Sequence, residues 1–497
     1  MALSPRRGRP PHPARRAAPR PPPPPGARPW AALAALCVGF FLLMMDTTIT
    51  NVAVPALMSD LDIDLNQVSW VNSVYLLAYA VPLLLSGRLG DRLGRKPMYV
   101  TGLVLFTVAS LLCGLATGPV LLIAGRALQG IGAATMAPQT MAFIAQLFPT
   151  DRRGAALGIW AAVGGFATAI GPLLGGLFVD TAGWEWIFWV NVPIGVAGLF
   201  LAAILVPGGV RGAPRGERER FDVLGTLLSC LGLLALVFAV QNGEYYHWST
   251  VAGPLTVTHL IVLGALLLVA FVVRQHFFGQ PLIPLSLFKH RDFSAACVGG
   301  LAVGFALTGL YLPLTLYLQT ARGYSPFVFG LITLPLAVAA GVVGPFSGRL
   351  SDRVSGARVA MGGFLAFGCG IAALALTARA ATPVWAWVLA LTLCGVGTGS
   401  LFSPLANVAT REIPGPVMGA ASGVYNTARQ VGSVFGSAAV SVLLQRGMAS
   451  AGDGSDTGTV ADAVSDALWL PVGMLVLGML ACLAMRDGTV RVRRSET

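Results

Sequence analysis

Asp46 is the residue of this sequence from which chemistry is most directly argued. It lies about halfway along an unbroken apolar run, residues 30–57. A carboxylate at that depth of a hydrophobic segment is expensive, and such residues are usually functional. Desolvation favours the neutral acid over the charged form, so a group of this kind can load and release a proton. The alternative is a structural hydrogen bond to a neighbouring helix; the expense of the position favours the proton-carrying role. Arg126 is the charged residue of a second apolar run, residues 119–147. Without a partner it would be strongly unfavourable there, so it demands an acceptor.

A charged segment, Gly87-Arg88-Leu89-Gly90-Asp91-Arg92-Leu93-Gly94-Arg95-Lys96, has its core repeated as Gly348-Arg349-Leu350-Ser351-Asp352-Arg353. Each copy separates two long apolar stretches, which implies two related halves; repeats of this kind characterise secondary transporters. Asp91 with Arg92, Arg95 and Lys96 can form a charge network, with Asp91 favoured near a helix N-terminus. Two roles fit: a latch against neighbouring helix ends that holds one conformation, or plain anchoring by basic charge. The repetition favours the latch, since anchoring needs no fixed pattern. In the second copy Ser351 and Ser355 replace Gly90 and Gly94, making it a degenerate version less suited to tight packing.

Gly164, Gly171, Gly175 and Gly176 share one run, and Gly171 with Gly175 forms a G-x-x-x-G pair that lets helices approach closely. Pro172 removes a backbone hydrogen bond and can bend the helix. A pliable sealed seam and ordinary tight packing are both compatible with this pattern. Gly432 and Gly436 supply a similar surface later in the chain. Asn51, Tyr75, Tyr79, Gln129, Tyr311, Asn407, Asn426, Arg429 and Gln430 are candidates to line a cavity, because large apolar pockets with a few polar groups bind lipophilic molecules. His259 reads as a structural residue.

The elements that position these residues follow from composition. Of 497 residues, 55% are hydrophobic and 11% charged, with mean hydropathy +0.74. A soluble surface needs many more charges, so the chain is a polytopic membrane protein. The net charge of +12 raises the question of nucleic acid, but the basic residues cluster in alternate loops, as membrane topology requires. The seven cysteines fall singly in apolar stretches with no C-x-x-C pair, so neither metal site nor disulfide framework is indicated. No cofactor motif, phosphate-binding loop or hydrolase signature appears, which argues against an enzyme.

The apolar runs number fourteen on this reading. Residues 1–29 are expected to be a disordered cytoplasmic tail rich in Pro and Arg. A six-helix bundle follows over 30–206, a cytoplasmic linker over 207–222, and two additional membrane helices over 223–274. Residues 275–292 form a second linker, either an amphipathic surface helix or a connecting loop. The second six-helix bundle covers 293–485 and a cytoplasmic tail 486–497. One set of loops holds the arginine clusters, the opposite set Asp60, Asp62 and Asp64; both termini are therefore expected in the cytoplasm.

Several segments resemble the major facilitator superfamily. Gly87–Lys96 is similar to its loop between helices 2 and 3, and Leu122–Ala134, containing Arg126 and Gln129, to its helix 4 motif. Gly164–Gly176 resembles the helix 5 motif of its antiporters. Asp46–Pro55, Trp184–Pro193 and Asn426–Gly432 resemble the fourteen-helix drug/proton antiporter branch, departing from it at Glu185, where the branch usually has a basic residue. The resemblance covers about Trp30 to Arg486. It implies an all-α membrane fold of two six-helix bundles with two extra central helices, and proton-driven export of lipophilic drugs or antibiotics across the cytoplasmic membrane. It also places helices 1 and 4 side by side, making Asp46 and Gln129 partners for Arg126. Arg126 would then stabilise the charged carboxylate when close and release it when the helices part; a fixed ion pair is the alternative. The implied partners are a lipophilic small molecule, protons and the bilayer, in a monomer. With Asp46 the one clear mid-span carboxylate and Arg429 in the second half, the substrate is expected to be neutral, zwitterionic, anionic or singly charged. Uptake by symport and a membrane sensor are the alternatives.

Overall fold

A computed structural model describes residues 28–148, 150–208, 222–243, 245–277, 281–378, 382–411, 413, 418–449 and 457–485. The expected N-terminal tail before residue 28, most of the 207–222 linker and the tail after residue 485 lie outside the described residues.

The first half is built from α1 (Pro29–Val52), α2 (Val54–Asp60), α3 (Leu65–Ala80), α4 (Leu83–Leu93), α5 (Arg95–Gly114), α6 (Pro119–Leu147), α7 (Thr150–Thr181), α8 (Trp186–Trp189) and α9 (Asn191–Leu205). An antiparallel pair follows, α10 (Val223–Gln241) and α11 (Val257–Phe277), joined through a small hairpin of β1 (Thr250–Ala252) and β2 (Leu255–Thr256) that the sequence reading did not anticipate. The second half comprises α12 (Arg291–Thr315), α13 (Pro326–Arg353), α14 (Gly356–Leu376), α15 (Val384–Gly399), α16 (Phe402–Arg411), α17 (Met418–Ala449) and α18 (Thr457–Leu483). Between Pro281 and Arg291 the chain makes a single 3-10 turn, Leu285–Lys289.

Local chemistry accounts for the helix ends. Proline occupies the first turn of α1, α6 and α13, where a missing N–H costs nothing. The Asp64 carboxylate accepts from the Gln67 N–H while the Gln67 side chain accepts from the Asp64 N–H, a reciprocal cap that starts α3. Gly94, at φ +106°, turns the chain between α4 and α5 in a conformation that favours glycine. The expected second span is split at Val81–Pro82, where Pro82 cannot donate to the helix ladder.

Among the described residues, twelve helices are long and apolar enough to cross a membrane. The expected second and thirteenth spans fall outside that set. The former is the interrupted α3–α4; the latter is α17, whose Asn426, Thr427, Arg429 and Gln430 dilute its apolar character.

Each half packs in the same way. In the first, α1 lies on α7, and α6 on α3 and α5; in the second, α12 lies on α17, and α15 on α13 and α14. Between the halves, α7 meets α13 and α17 meets α3. Many of these contacts lie toward the end carrying Asp60, Asp64 and Asp180, the acidic end; others, such as Gly165 against Gly341 and Tyr79 with Gln430, lie farther along the helices. Thr315 Oγ1 donates to the Asn51 carbonyl at 3.1 Å, and Gln319 Nε2 to the Val52 carbonyl at 3.0 Å. The Phe327 N–H reaches Asp180 Oδ2 at 3.0 Å, and Ser69 and Ser73 pair with Ser441 and Ser437. Ile49, Val52, Leu57 and Phe188 of the first half accordingly share a core with the second.

Candidate functional site

Helices α3, α5, α6 and α9, with Phe188 of the short α8, converge on Asp46 of α1. The residue is fully buried in the last third of α1, where Thr50 Oγ1 caps its backbone carbonyl at 3.0 Å. Arg126, 1% exposed and about two turns into α6, donates through Nη1 to Asp46 Oδ2 at 2.6 Å. The same nitrogen reaches Gln129 Oε1 at 2.7 Å, and Gln129 Nε2 donates to Asp46 Oδ1 at 2.8 Å. The ring so formed depends on the spacing of Arg126 and Gln129, which share one face of α6. Arg126 Nε finds a further acceptor, the Val71 carbonyl of α3, at 3.1 Å. Aromatic faces complete its enclosure: its guanidinium lies 4.2 Å from the Tyr75 ring centroid and 5.8 Å from that of Phe188.

Two members of this cluster were not singled out from sequence. Asn191, the first residue of α9 and fully buried, donates through Nδ2 to Ser110 Oγ at 3.0 Å and to Asp46 Oδ1 at 3.3 Å. Ser110, on α5, passes its own hydroxyl hydrogen to the Phe188 carbonyl at 2.9 Å. Small neutral residues carry little signal in a helix; the one available cue was the position of Asn191 within Trp184–Pro193.

One guanidinium and two amides thus hold both oxygens of a carboxyl that is screened from solvent, and the carboxyl is satisfied as a unit.

The other expected site residues form separate groups. Tyr79 hydrogen-bonds Gln430, and Arg429 stands nearby with its guanidinium 5.6 Å from the Phe402 ring centroid. Asn426 lies one turn before Gln430 on α17, and Tyr311 is buried on α12. Asn51 sits at the acidic-end contact, accepting from Asn72 Nδ2 at 2.9 Å. Tyr75 and Gln129, expected at a cavity wall, are instead enclosed in the Asp46 cluster because Arg126 needs their ring face and amide. Asn407 donates to Ser351 Oγ at 3.1 Å and so belongs with the second charged segment.

That segment and its first copy lie at the opposite, basic end. Arg95 donates to the Ala142 carbonyl at the end of α6, and Lys96 to the Ala203 carbonyl at the end of α9. Gly90 lies directly against the Gln139 side chain, whose Nε2 donates to the Ser86 carbonyl at 2.8 Å. Gly87 and Gly348 face Pro138 and Ser403 respectively. Asp91 and Arg92 fall in the last turn of α4, and Asp352 and Arg353 in that of α13; the side chains of these four lie outside the described set.

The glycines of α7 divide between two neighbours. Gly164, Gly171 and Gly175 face Phe40, Thr48 and Ile49 of α1, the helix of Asp46. Gly176 meets Pro326 and Phe327 of α13, and the Pro172 carbonyl faces Gly330 of that helix. One helix thus contacts both the carboxylate-bearing helix and the opposite half.

Outside this core, α10 and α11 cover the line where α3–α4 meets α17. A cavity of about 160 Å³ remains there, lined by Ala80, Val81, Leu233, Phe271, Thr427 and Val431 among others. A cavity of roughly that size holds a single benzene ring, so it is too small to be the passage for a polycyclic drug. No cluster of His, Cys, Asp or Glu suited to a metal occurs among the described residues.

Comparison with known proteins gives a consistent result. Residues 36–437 match the family described as the Major Facilitator Superfamily. An uncharacterized MFS-type transporter of Mycobacterium tuberculosis is 40% identical over 487 residues, covering 93% of this chain and 82% of that protein. The tetracenomycin C resistance and export protein of Streptomyces glaucescens is 33% identical over 423 residues, covering 84% and 76%. Among solved structures, the D-xylose–proton symporter superposes with a TM-score of 0.66 at 14% identity, covering 93% of this chain and 98% of that one, which is a likeness of fold.

Proposed function

Because the chain belongs to the Major Facilitator Superfamily, and to its drug-efflux branch, we propose that it exports lipophilic small molecules, drugs or antibiotics, in exchange for protons. The observation that carries the proton-coupled part is the Asp46–Arg126 pair, 0% and 1% exposed, on two helices of one half. A proton binding to Asp46 weakens its hold on Arg126; loss of the proton restores it. Substrate and proton then compete through the two states of one carboxyl, which is sufficient for exchange. Tyr79, Tyr311, Asn426, Arg429 and Gln430 supply the polar and aromatic wall of the substrate passage in this reading.

The chain crosses the cytoplasmic membrane fourteen times, with α3–α4 and α17 as the second and thirteenth spans and both termini inside. Their polarity supports this: an interrupted and a polar helix at corresponding places in two halves are the expected lining of a transport path. The acidic end is then outside. The hydrogen bonds between the halves at that end support an inward-facing carrier, which in this reading works as a monomer. The segments Gly87–Lys96 and Gly348–Arg353, through Asp91, Arg92, Asp352 and Arg353, latch the alternate, outward-open state.

The test is efflux in everted vesicles with an imposed pH gradient, comparing wild type with Asp46→Asn. Expected is gradient-driven transport of a dye or antibiotic that the variant loses, roughly a hundredfold or more, while remaining folded and inserted. Undiminished gradient-driven transport by the variant would remove Asp46 from the proton path.

A further inference from the structure

The amide of Asn191 is held on one side only. Its Nδ2 serves Asp46 Oδ1 and Ser110 Oγ, while its Oδ1, fully buried, accepts no hydrogen bond among the described residues. Asp46 has two chemically different oxygens. Oδ2 is paired to the Arg126 guanidinium; Oδ1 receives only neutral amides, from Gln129 and Asn191. A proton therefore settles on Oδ1, the oxygen without the cation, and becomes a hydrogen-bond donor aimed at a site where two N–H groups already point. Two donors cannot share that line, so one amide must give way. Gln129 is locked, because its Oε1 accepts from Arg126 at 2.7 Å. Asn191 has no such tie on its oxygen.

We propose that Asn191 is the positioning residue that reads the protonation of Asp46. With the carboxylate charged, Nδ2 donates to it, as observed. When a proton from water adds to Oδ1, no other covalent bond changes. The Asn191 amide then turns over about its terminal torsion, and its oxygen accepts the new O–H. Each orientation leaves one end of the amide unsatisfied, so neither is strongly preferred by the surroundings, and the proton decides. The other groups around the carboxyl are Arg126 from α6, Tyr75 from α3 and Cys113 from α5; α8 contributes the Phe188 ring. Asn191 begins α9 just after the short α8, which follows α7, the helix packed on α13. Its reorientation, and the release of Ser110 that accompanies it, bears on the segment joining the Asp46 cluster to the contact between halves.

This inference rests on Asp46 being a proton site, and its test separates the two. Infrared difference spectra of the purified full-length protein between acid and neutral pH should show a carboxylic-acid carbonyl band that Asp46→Asn abolishes. In Asn191→Leu the band should persist but move to higher wavenumber, since the acid has lost its acceptor, and the proton-to-substrate ratio in vesicles should fall. Wild type labelled with carbonyl-13C asparagine gives the same information without a substitution: one labelled amide carbonyl should shift to lower wavenumber on protonation, and should not shift in Asp46→Asn. An Asp46 band unmoved in Asn191→Leu, or a labelled amide indifferent to pH, overturns the role of Asn191 alone. Absence of any Asp46-dependent band overturns the proton site and this inference with it.

Discussion

Gly171 and Gly175 of the first half press on the backbone of Met45 and Ile49, and Gly432 and Gly436 of the second press on that of Leu301 and Phe305. Likewise Gly130 and Gly132 of α6 meet α3 and α5, as Gly395 and Gly397 of α15 meet α13 and α14, and Gly198 and Gly478 face Leu103 and Phe364. Aligned on these contacts, Asp46 falls on Ala302, Arg126 on Leu391, Gln129 on Cys394 and Asn191 on Pro471; Ser110, through Gly102 and Gly363, falls on Ile371. Ala302, Leu391, Cys394 and Ile371 are each 0% exposed. One packing scheme therefore accommodates an ionised network in one half and an apolar core in the other. The close approaches are what the architecture requires; the charges are an addition that the fold tolerates without needing. Buried ion pairs are weak evidence of stabilisation, since apolar residues of similar volume often serve as well. The second half demonstrates that substitution within the same molecule.

The strongest way to break the comparison is to convert the first half to the second. Arg126→Leu alone leaves the Asp46 charge without its cation and should cost about 3–5 kcal/mol. Combining it with Asp46→Ala, the residue pair found at the matching positions, should recover most of that loss. Both variants should lack gradient-driven export. Thermal unfolding in detergent with vesicle transport measures this. A double variant no more stable than the single one would mean that the network is needed to hold the half together, and that the two cores are not interchangeable.

The glycine contacts give a finer test, because here the halves are expected to respond alike. Gly171→Val and Gly432→Val each push a branched side chain into the backbone of a helix in the same half, an overpacking worth roughly 1–3 kcal/mol. Similar losses in unfolding temperature are expected from both. Gly176→Val instead strikes Pro326 and Phe327 across the halves. Its cost in stability should be comparable, but transport should fall further than in Gly171→Val, because the acidic-end contact must close in every cycle. Equal transport in Gly171→Val and Gly176→Val would show that this contact does not govern the cycle.

How much of this was legible follows from what each residue signals. A carboxylate and a guanidinium in apolar runs stand out because water is the default environment of both, so Asp46, Arg126 and, by spacing, Gln129 were readable. Ser110 and Asn191 were not. A serine or asparagine in a membrane helix usually hydrogen-bonds its own or a neighbouring backbone, and only tertiary structure tells which do otherwise. The repeated Gly-Arg-Leu segment disclosed the two halves, but the equivalence of Asp46 and Ala302 required the glycine contacts, since the halves are out of register between α1 and α6. Helix interruptions at Val81–Pro82 and Ser400–Leu401 split spans that hydropathy alone joins. Asp222 closes the expected 207–222 linker and was not singled out.

Asp222 is instead a second buried carboxylate, and it differs from Asp46 in what it can do. It caps α10, accepting from the Gly225 N–H at 2.8 Å, and takes Arg274 Nε at 2.6 Å and Gln275 Nε2 at 2.8 Å. Gln275 Oε1 in turn accepts the Ile283 N–H at 3.1 Å, which ties the helix pair to the chain entering α12. Burial pulls its carboxyl upward, but the bonds from Arg274, Gly225 and Gln275 outweigh it and hold the group below the usual carboxylate range. A carboxyl lowered in the folded state contributes stability that is complete above its unfolded value and disappears as pH falls through the folded one. Arg274 is 29% exposed, so the loss in Asp222→Asn should be modest, about 1.5 kcal/mol at neutral pH, at the low end for charged hydrogen bonds. The variant should also lose part of the acid sensitivity of unfolding below the carboxylate range while retaining gradient-driven transport. Unfolding temperatures of both proteins across an acid pH series provide the check. If Asp222→Asn abolished transport with its fold intact, the α10–α11 pair would be part of the transport cycle, and the distinction between a working carboxylate in the first half and a structural one beside it would fail.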